Sequence, residues 1–96
     1  MRRIGRFCIG LEEIEGQDGV MAKLMLSGMV ILRADHRYDM QAIEYMALCD
    51  DFDEVAAGHE APYYDARMNE QHVLVDGEAG NAGQIIRVFE KWQRRA

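Results

Sequence analysis

The segment from Val20 to Tyr38 constrains the fold more than any other feature, because apolar and polar side chains alternate along it. The even positions are mostly apolar, whereas polar side chains fall on odd positions, at Lys23, Ser27, Arg33, Asp35 and Arg37. A period of two is typical of a half-buried β-strand. One strand of this length would extend about 60 Å, well beyond the usual strand. We therefore expect a bend or bulge at Gly28, because a tight hairpin there would put the apolar side chains on opposite faces.

A helix over residues 19–27 is the alternative, since Met, Ala, Lys and Leu are good helix formers. We favour the strand, although Met21, Met25 and Met29 lie among its polar positions and give it apolar side chains on both faces. Such a sheet needs cover on both sides, by a helix and by a second copy of the chain. The pattern therefore favours a homodimer through a methionine-lined sheet, since thioether side chains suit adaptable contact surfaces.

The other segments complete the predicted fold. Weaker alternation predicts strands over 3–11, 43–49, 63–69 and 72–75, with turns at 39–41 and 69–71. Asn81 can cap a C-terminal helix, with Gln84 completing a capping box. The apolar stripe of that helix has the spacing i, i+3, i+4, i+7 and comprises Ile85, Val88, Phe89 and Trp92. We expect one α+β domain over 1–96, an antiparallel β-meander of four to five strands with one C-terminal helix packed on a face.

Charge and cysteine content limit the possible partners and compartment. Sixteen of the seventeen acidic residues lie between Glu12 and Glu78, whereas seven of the eleven basic residues lie in the two ends of the chain. An acidic body disfavours general nucleic-acid binding. The longest apolar run, Gly28–Leu32, is too short to cross a membrane. The cysteines, Cys8 and Cys49, form no CxxC pair and sit at apolar positions, as expected for reduced thiols in a cytoplasmic protein.

The most acidic stretch runs from Cys49 to Pro62 and carries Asp50, Asp51, Asp53, Glu54 and Glu60. Its spacing does not match a calcium-binding loop. The three histidines, His36, His59 and His72, lack the spacing of a zinc site, so we expect no metal and no cofactor. Phe52 and Val55 indicate that the loop is pinned to the core. The stretch is then either an ordered polar connection or an acidic surface for a basic protein partner.

Evidence for catalysis is thin, so an enzyme that uses His36 or His59 with a carboxylate is the least favoured of the function hypotheses. Ser27 is the only serine and the chain has no threonine, and no nucleophile motif surrounds Ser27 or a cysteine. His36 shares the apolar parity of its strand, which favours a core or pocket position. The glycines of the segment 77–83 are typical of a capped helix start rather than a phosphate loop. An alternative function is the binding of an anionic metabolite or nucleotide by aromatic and arginine side chains. Its candidate residues are His36, Tyr38, Tyr45, Tyr63, Arg67 and Arg87.

The middle of the chain resembles small phage and prophage accessory proteins. Their pattern is a strand x-Y-x-A-x-S-x-x-F-D-x-V followed by a G-x-x-x-P-x-Y turn and strand. The matching positions here are Tyr45, Ala47, Phe52, Asp53, Val55, Gly58, Pro62 and Tyr64, with Cys49 in place of serine. The resemblance implies a mobile-element accessory protein that binds and inhibits a host factor. It assigns no functional residue.

Overall fold

The computed structural model describes residues 2–74 and 83–96. Within them the chain forms a four-stranded antiparallel sheet, a two-stranded hairpin and short helices between the first two strands. In chain order the elements are β1 (Arg2–Gly10), α1 (Leu11–Glu15), a 3₁₀ turn (Gly16–Gly19), α2 (Val20–Leu26), β2 (Val30–Arg37), β3 (Ala42–Leu48), β4 (Glu54–Val55), β5 (Tyr64–Leu74) and β6 (Gly83–Arg94).

The larger sheet has the strand order β2-β3-β1-β4. β1 lies inside it, so the sheet is antiparallel as predicted but is not a meander. The odd residues of β1 point to one face, where Phe7 and Ile9 are fully buried. We call this the inner face and the opposite one the outer face. An isolated parallel β-bridge between Arg6 of β1 and Tyr63 connects this sheet to the residue just before the hairpin.

The predicted strand over 19–27 is wrong, and the alternative helix is confirmed as α2. The helix follows Gly19, which has a φ of 72°, and is followed by Gly28, which has a φ of 75°. Ala22 and Met25, one turn apart, are buried against the inner face. Met21 and Met29 also pack on this core. The methionines therefore face inward and do not form the predicted methionine-lined sheet surface.

The strand after Gly28 is confirmed, but its bulge lies at Leu32 instead of at Gly28. Ile31 pairs with Ala47 and Arg33 pairs with Met46, which leaves Leu32 as an extra residue on β2. The extra residue reverses the parity of the strand, so that Ile31 and Ala34 share the inner face although they are three residues apart. The expected turn at 39–41 and the strand β3 are both present.

The predicted C-terminal helix is wrong, because residues 83–94 form β6. A second bulge explains the helix-like spacing: Arg67 pairs with Lys91 and Met68 with Phe89, which leaves Glu90 as the extra residue. Phe89 and the buried Trp92, three residues apart, therefore face the core from one strand, with ring centroids 5.2 Å apart. Asn81, the predicted cap, lies outside the described residues. The predicted turn at 69–71 is absent, since β5 runs through it without interruption.

The core lies between the inner face, α2 and the base of the hairpin. Phe7 is at its centre, with ring centroids 4.3 Å from Trp92 and 5.4 Å from Tyr45. Beyond this base, Asn69, Glu70, Gln71 and Arg87 of the hairpin are exposed. The molecule measures 59 × 26 × 23 Å. No helix in the described part is long and apolar enough to cross a membrane.

Candidate functional site: the acidic loop and the depression beside it

The acidic loop is anchored to the core, as the apolar residue within it predicts. Phe52 is fully buried, and its ring lies 4.3 Å from that of Tyr64. The backbone N–H of Asp53 donates a 2.8 Å hydrogen bond to the hydroxyl of Tyr64. The Phe52 carbonyl accepts a 2.9 Å bond from the guanidinium of Arg3. The loop is therefore held between β1 and the start of the hairpin, and its carboxylates stand on a fixed backbone.

The basic ends of the chain neutralise part of this loop. Asp53 pairs with Arg94 at 2.9 Å, and Glu54 with Arg3 at 3.7 Å. Glu60 lies 3.8 Å from Arg6. All three carboxylates are more than half exposed, so each pair adds little to stability. The opposite charges of the ends and the middle are the sequence signal that could have indicated these contacts.

Asp50 and Asp51 carry the remaining charge of the loop. Both are exposed, and neither forms an ion pair with another described residue. They occupy the turn that begins where Phe52 N–H donates to the Cys49 carbonyl at 3.1 Å. Of the five predicted partner-binding residues, these two are therefore the ones without an ion pair among the described residues.

A depression of about 530 Å³ lies next to Asp50, where the strands of the outer face end. It is open to solvent. Val30 and Leu48 are cross-strand neighbours and form its apolar part, and the Val30 residue is 58% exposed. Asp50 and Glu54 supply carboxylates at its border. Its lining comprises Arg2, Arg3, Gly28, Val30, Leu48, Cys49, Asp50 and Glu54. Sequence reasoning missed this depression, because it forms only when three distant segments meet, namely 2–3, 28–30 and 48–54.

Tyr63, a candidate ligand residue, is already engaged by neighbouring side chains. The guanidinium carbons of Arg6 and Arg95 lie 4.1 and 5.3 Å from its ring centroid. Its hydroxyl donates a 3.2 Å hydrogen bond to Glu44. A nucleobase that stacked on this ring would share it with these arginines or displace one of them.

The other ligand candidates are spread over the molecule. His36 and Tyr38 lie at the free edge of β2 with ring centroids 4.0 Å apart and planes tilted by 41°, and the exposure of His36 contradicts its predicted core position. Tyr45 is half-buried on the inner face, where burial raises the pKa of its hydroxyl. Arg67 lies on the hairpin, 3.7 Å from Glu90. Arg87 is paired across the same hairpin with Glu70 by backbone register. Because β3 and β1 lie between β2 and Tyr63, three strand spacings of about 4.8 Å separate them, and these residues do not share one site.

Potential metal and nucleophile positions are equally dispersed. No group of three or more His, Cys, Asp or Glu residues close enough to hold a metal occurs in the described ranges. Cys8 and Cys49 are free and half-buried. Burial, and then the charge of Glu44, raises the pKa of the Cys8 thiol, which disfavours the reactive thiolate. Ser27 is exposed after α2. Most of the glycine-rich segment 77–83 lies outside the described residues.

Comparison with protein-family models, with curated proteins and with solved structures finds no match for this chain. The resemblance to phage accessory proteins therefore stays a prediction.

Proposed function

We propose that this chain is a non-catalytic binding protein that uses Asp50, Asp51 and the adjoining depression to bind a protein partner. The observation that carries the proposal is the position of these two carboxylates, which have no ion pair within residues 2–74 and 83–96. They precede a fully buried residue, Phe52, and Asp50 borders an open depression with apolar side chains. A partner segment whose Lys or Arg meets Asp50 and Asp51, with an apolar side chain against Val30 and Leu48, complements these residues in both charge and hydrophobicity.

The anchored loop favours such a contact energetically. A loop whose backbone is already fixed loses little conformational entropy when a partner binds. Exposed carboxylates mainly accelerate association and select for basic partners, and salt screens their effect. Glu54 and Asp53 add to the same negative surface, although arginines partly neutralise them.

We further propose that the bound partner is a host factor whose activity the protein blocks. Support for this role comes from the resemblance of residues 45–64 to mobile-element accessory proteins and from the net charge of −6. A negatively charged surface can compete with nucleic acid for a basic partner. The alternative, a small-ligand protein, has less support because its six candidate residues lie apart.

Affinity capture with matched variants tests the proposal. The variant D50K/D51K reverses the unpaired carboxylates, whereas E12K/E15K makes the same charge change at exposed positions of α1. We expect the wild type and E12K/E15K to retain the same partner at low salt and D50K/D51K to lose it. Equal retention of that partner by D50K/D51K would refute the acidic-loop surface. A reproducible small-molecule adduct in native mass spectrometry would favour the alternative instead.

A further inference from the structure

The exposed large apolar side chains of the described residues all lie in one region of the chain, from α2 to the turn after β2. β2 itself is an edge strand, so the backbone N–H and C=O groups that point away from β3 have no partner in the sheet. The opposite edge is β4, which has only two residues. The exposed apolar residues are Leu24, Val30, Ile31, Leu32, Tyr38 and Met40.

The hairpin offers longer free edges, but its exposed side chains are of a different kind. Along β5 and β6 the side chains described as exposed are polar or charged, as is usual for edges protected against association. The exposed ones are Asp65, Arg67, Asn69, Glu70, Gln71, Arg87, Glu90, Lys91, Gln93 and Arg94. β2 thus combines unpaired backbone groups with exposed apolar side chains, which is typical of a strand that pairs with another chain.

We propose that β2 pairs with β2 of a second copy of this chain, antiparallel and with the two-fold axis at Ala34. The inference does not rest on the proposed function. Backbone N–H and C=O groups of alternate residues point to the free edge, so a symmetric ladder pairs residues of equal parity. The two-fold axis must then pass through a residue and not between two residues. The part of β2 with regular pairing, Arg33–Arg37, offers few such residues.

Charge selects among these choices. An axis at Arg33 places that arginine opposite itself, and an axis at Asp35 places that carboxylate opposite itself, and like charges directly opposite are destabilising. An axis at His36 places Asp35 opposite Arg37 of the second copy. Arg37, however, already pairs with Asp39 at 3.2 Å and with Glu44 at 3.0 Å. An axis at Ala34 places Arg33 opposite Asp35 of the second copy, twice by symmetry.

The resulting contact is self-complementary. Arg33 and Asp35 are 68% and 46% exposed and already bond to each other at 2.6 Å along the outer face. Two such pairs in opposite directions form a square in which every charge has opposite charges as neighbours. The same register brings Tyr38 of the second copy, itself 77% exposed, toward the apolar residues Val30–Leu32. The partner for this edge is therefore another copy of the chain.

Charge-reversal variants in sedimentation velocity test the interface and its register. R33D places aspartates at 33 and 35, and D35R places arginines there, so each variant alone should repel itself. We expect the wild type to dimerise and the dissociation constant of each variant dimer to rise by about tenfold or more. Mixing R33D with D35R should restore a 1:1 heterodimer, because opposite charges then face each other at both positions.

The control is R67D, which makes the same change at an exposed arginine of the hairpin and should dimerise like the wild type. Circular dichroism checks that each variant folds, and the mixture provides a gain of association that a misfolded chain would not show. A wild type that stays monomeric over the concentration series would overturn the proposal. Undiminished dimerisation of R33D and D35R would also overturn it. A mixture that does not associate would overturn the register.

Discussion

The hydroxyl of Tyr64 accepts a 2.8 Å hydrogen bond from the backbone N–H of Asp53, and this bond joins the acidic loop to the first residue of the hairpin. The same tyrosine is almost fully buried and stacks on Phe52. The loop, which lies in the middle of the chain, therefore depends on the hairpin for its position. The second strand of that hairpin, β6, comes from the C-terminal end of the chain.

Removing only this bond should loosen the loop without emptying the core. We expect Tyr64→Phe to lower the free energy of unfolding by about 0.5–1.5 kcal/mol, because it removes one hydrogen bond and keeps the ring. Chemical denaturation measures this change, and hydrogen exchange should show faster exchange at the Asp53 amide. An unchanged Asp53 exchange rate would show that the bond does not hold the loop.

Phe52 should contribute much more to stability than its position in an acidic loop indicates. Its side chain has no exposed surface, so Phe52→Ala should cost about 3–5 kcal/mol, and Phe52→Leu should cost clearly less. Equilibrium unfolding of the two variants gives the comparison. A cost near zero for the alanine variant would contradict the anchored loop and remove the rigid presentation of Asp50 and Asp51.

Gly5 should tolerate no side chain. A Cβ there would lie 2.7 Å from the Tyr64 ring and 2.8 Å from the Phe52 ring, closer than packed carbon atoms approach. We expect Gly5→Ala to destabilise the protein by about 1–3 kcal/mol through overpacking. Gly16→Ala is the matched control, since nothing lies within 4 Å of its Cβ and its φ of −72° suits alanine. The two variants should differ in melting temperature, and similar values would contradict this packing.

The pair of Asp65 and Arg95 should make stability depend on acidic pH. The hydrogen bonds from Arg95 lower the pKa of Asp65 below its ordinary value of 3.8. A carboxyl with a lower pKa in the folded state adds stability that is fully present above its ordinary pKa and is lost as the pH falls through the folded pKa. Wild type should therefore lose more stability than Asp65→Asn as the pH falls from about 5. Parallel curves for the two proteins would contradict the pair.

Cys8 should react slowly with thiol reagents for an electrostatic as well as a steric reason. Burial raises the pKa of its thiol most, and the charge of Glu44 raises it further. In a Cys49→Ser background, Glu44→Gln should shift the pH dependence of Cys8 alkylation to lower pH. Tyr63→Phe removes the hydroxyl bound to Glu44 but keeps the carboxylate charge, so it serves as the control. Identical alkylation profiles for the Glu44→Gln and Glu44-containing proteins would contradict the effect.

Local patterns predicted the strands of this fold better than they predicted its helices. β1 and β3 have regular ladders, and simple alternation located both. The bulges at Leu32 and Glu90 could not be foreseen, because they depend on how two strands align rather than on one segment. The bulge at Glu90 places Phe89 and Trp92 on one face and so reproduces helical spacing within a strand.

The candidate site, like the fold, could be predicted only in part from the sequence. Phe52 within the acidic run indicated an anchored loop, since a large apolar side chain gains free energy by burial. Which carboxylates stay unpaired could not be predicted, because Asp53 meets Arg94 only after the hairpin folds back. The depression beside Asp50 likewise requires Val30 and Leu48 to become cross-strand neighbours.

Hydrogen–deuterium exchange on the complex with the captured partner tests the central claim most directly, since it maps the bound surface without a substitution. We predict slower exchange on binding at the amides of residues 49–54 and at Val30 and Leu48, with little change in residues 64–71. Protection confined to the hairpin, with unchanged exchange at residues 49–54, would contradict the acidic loop as the binding surface.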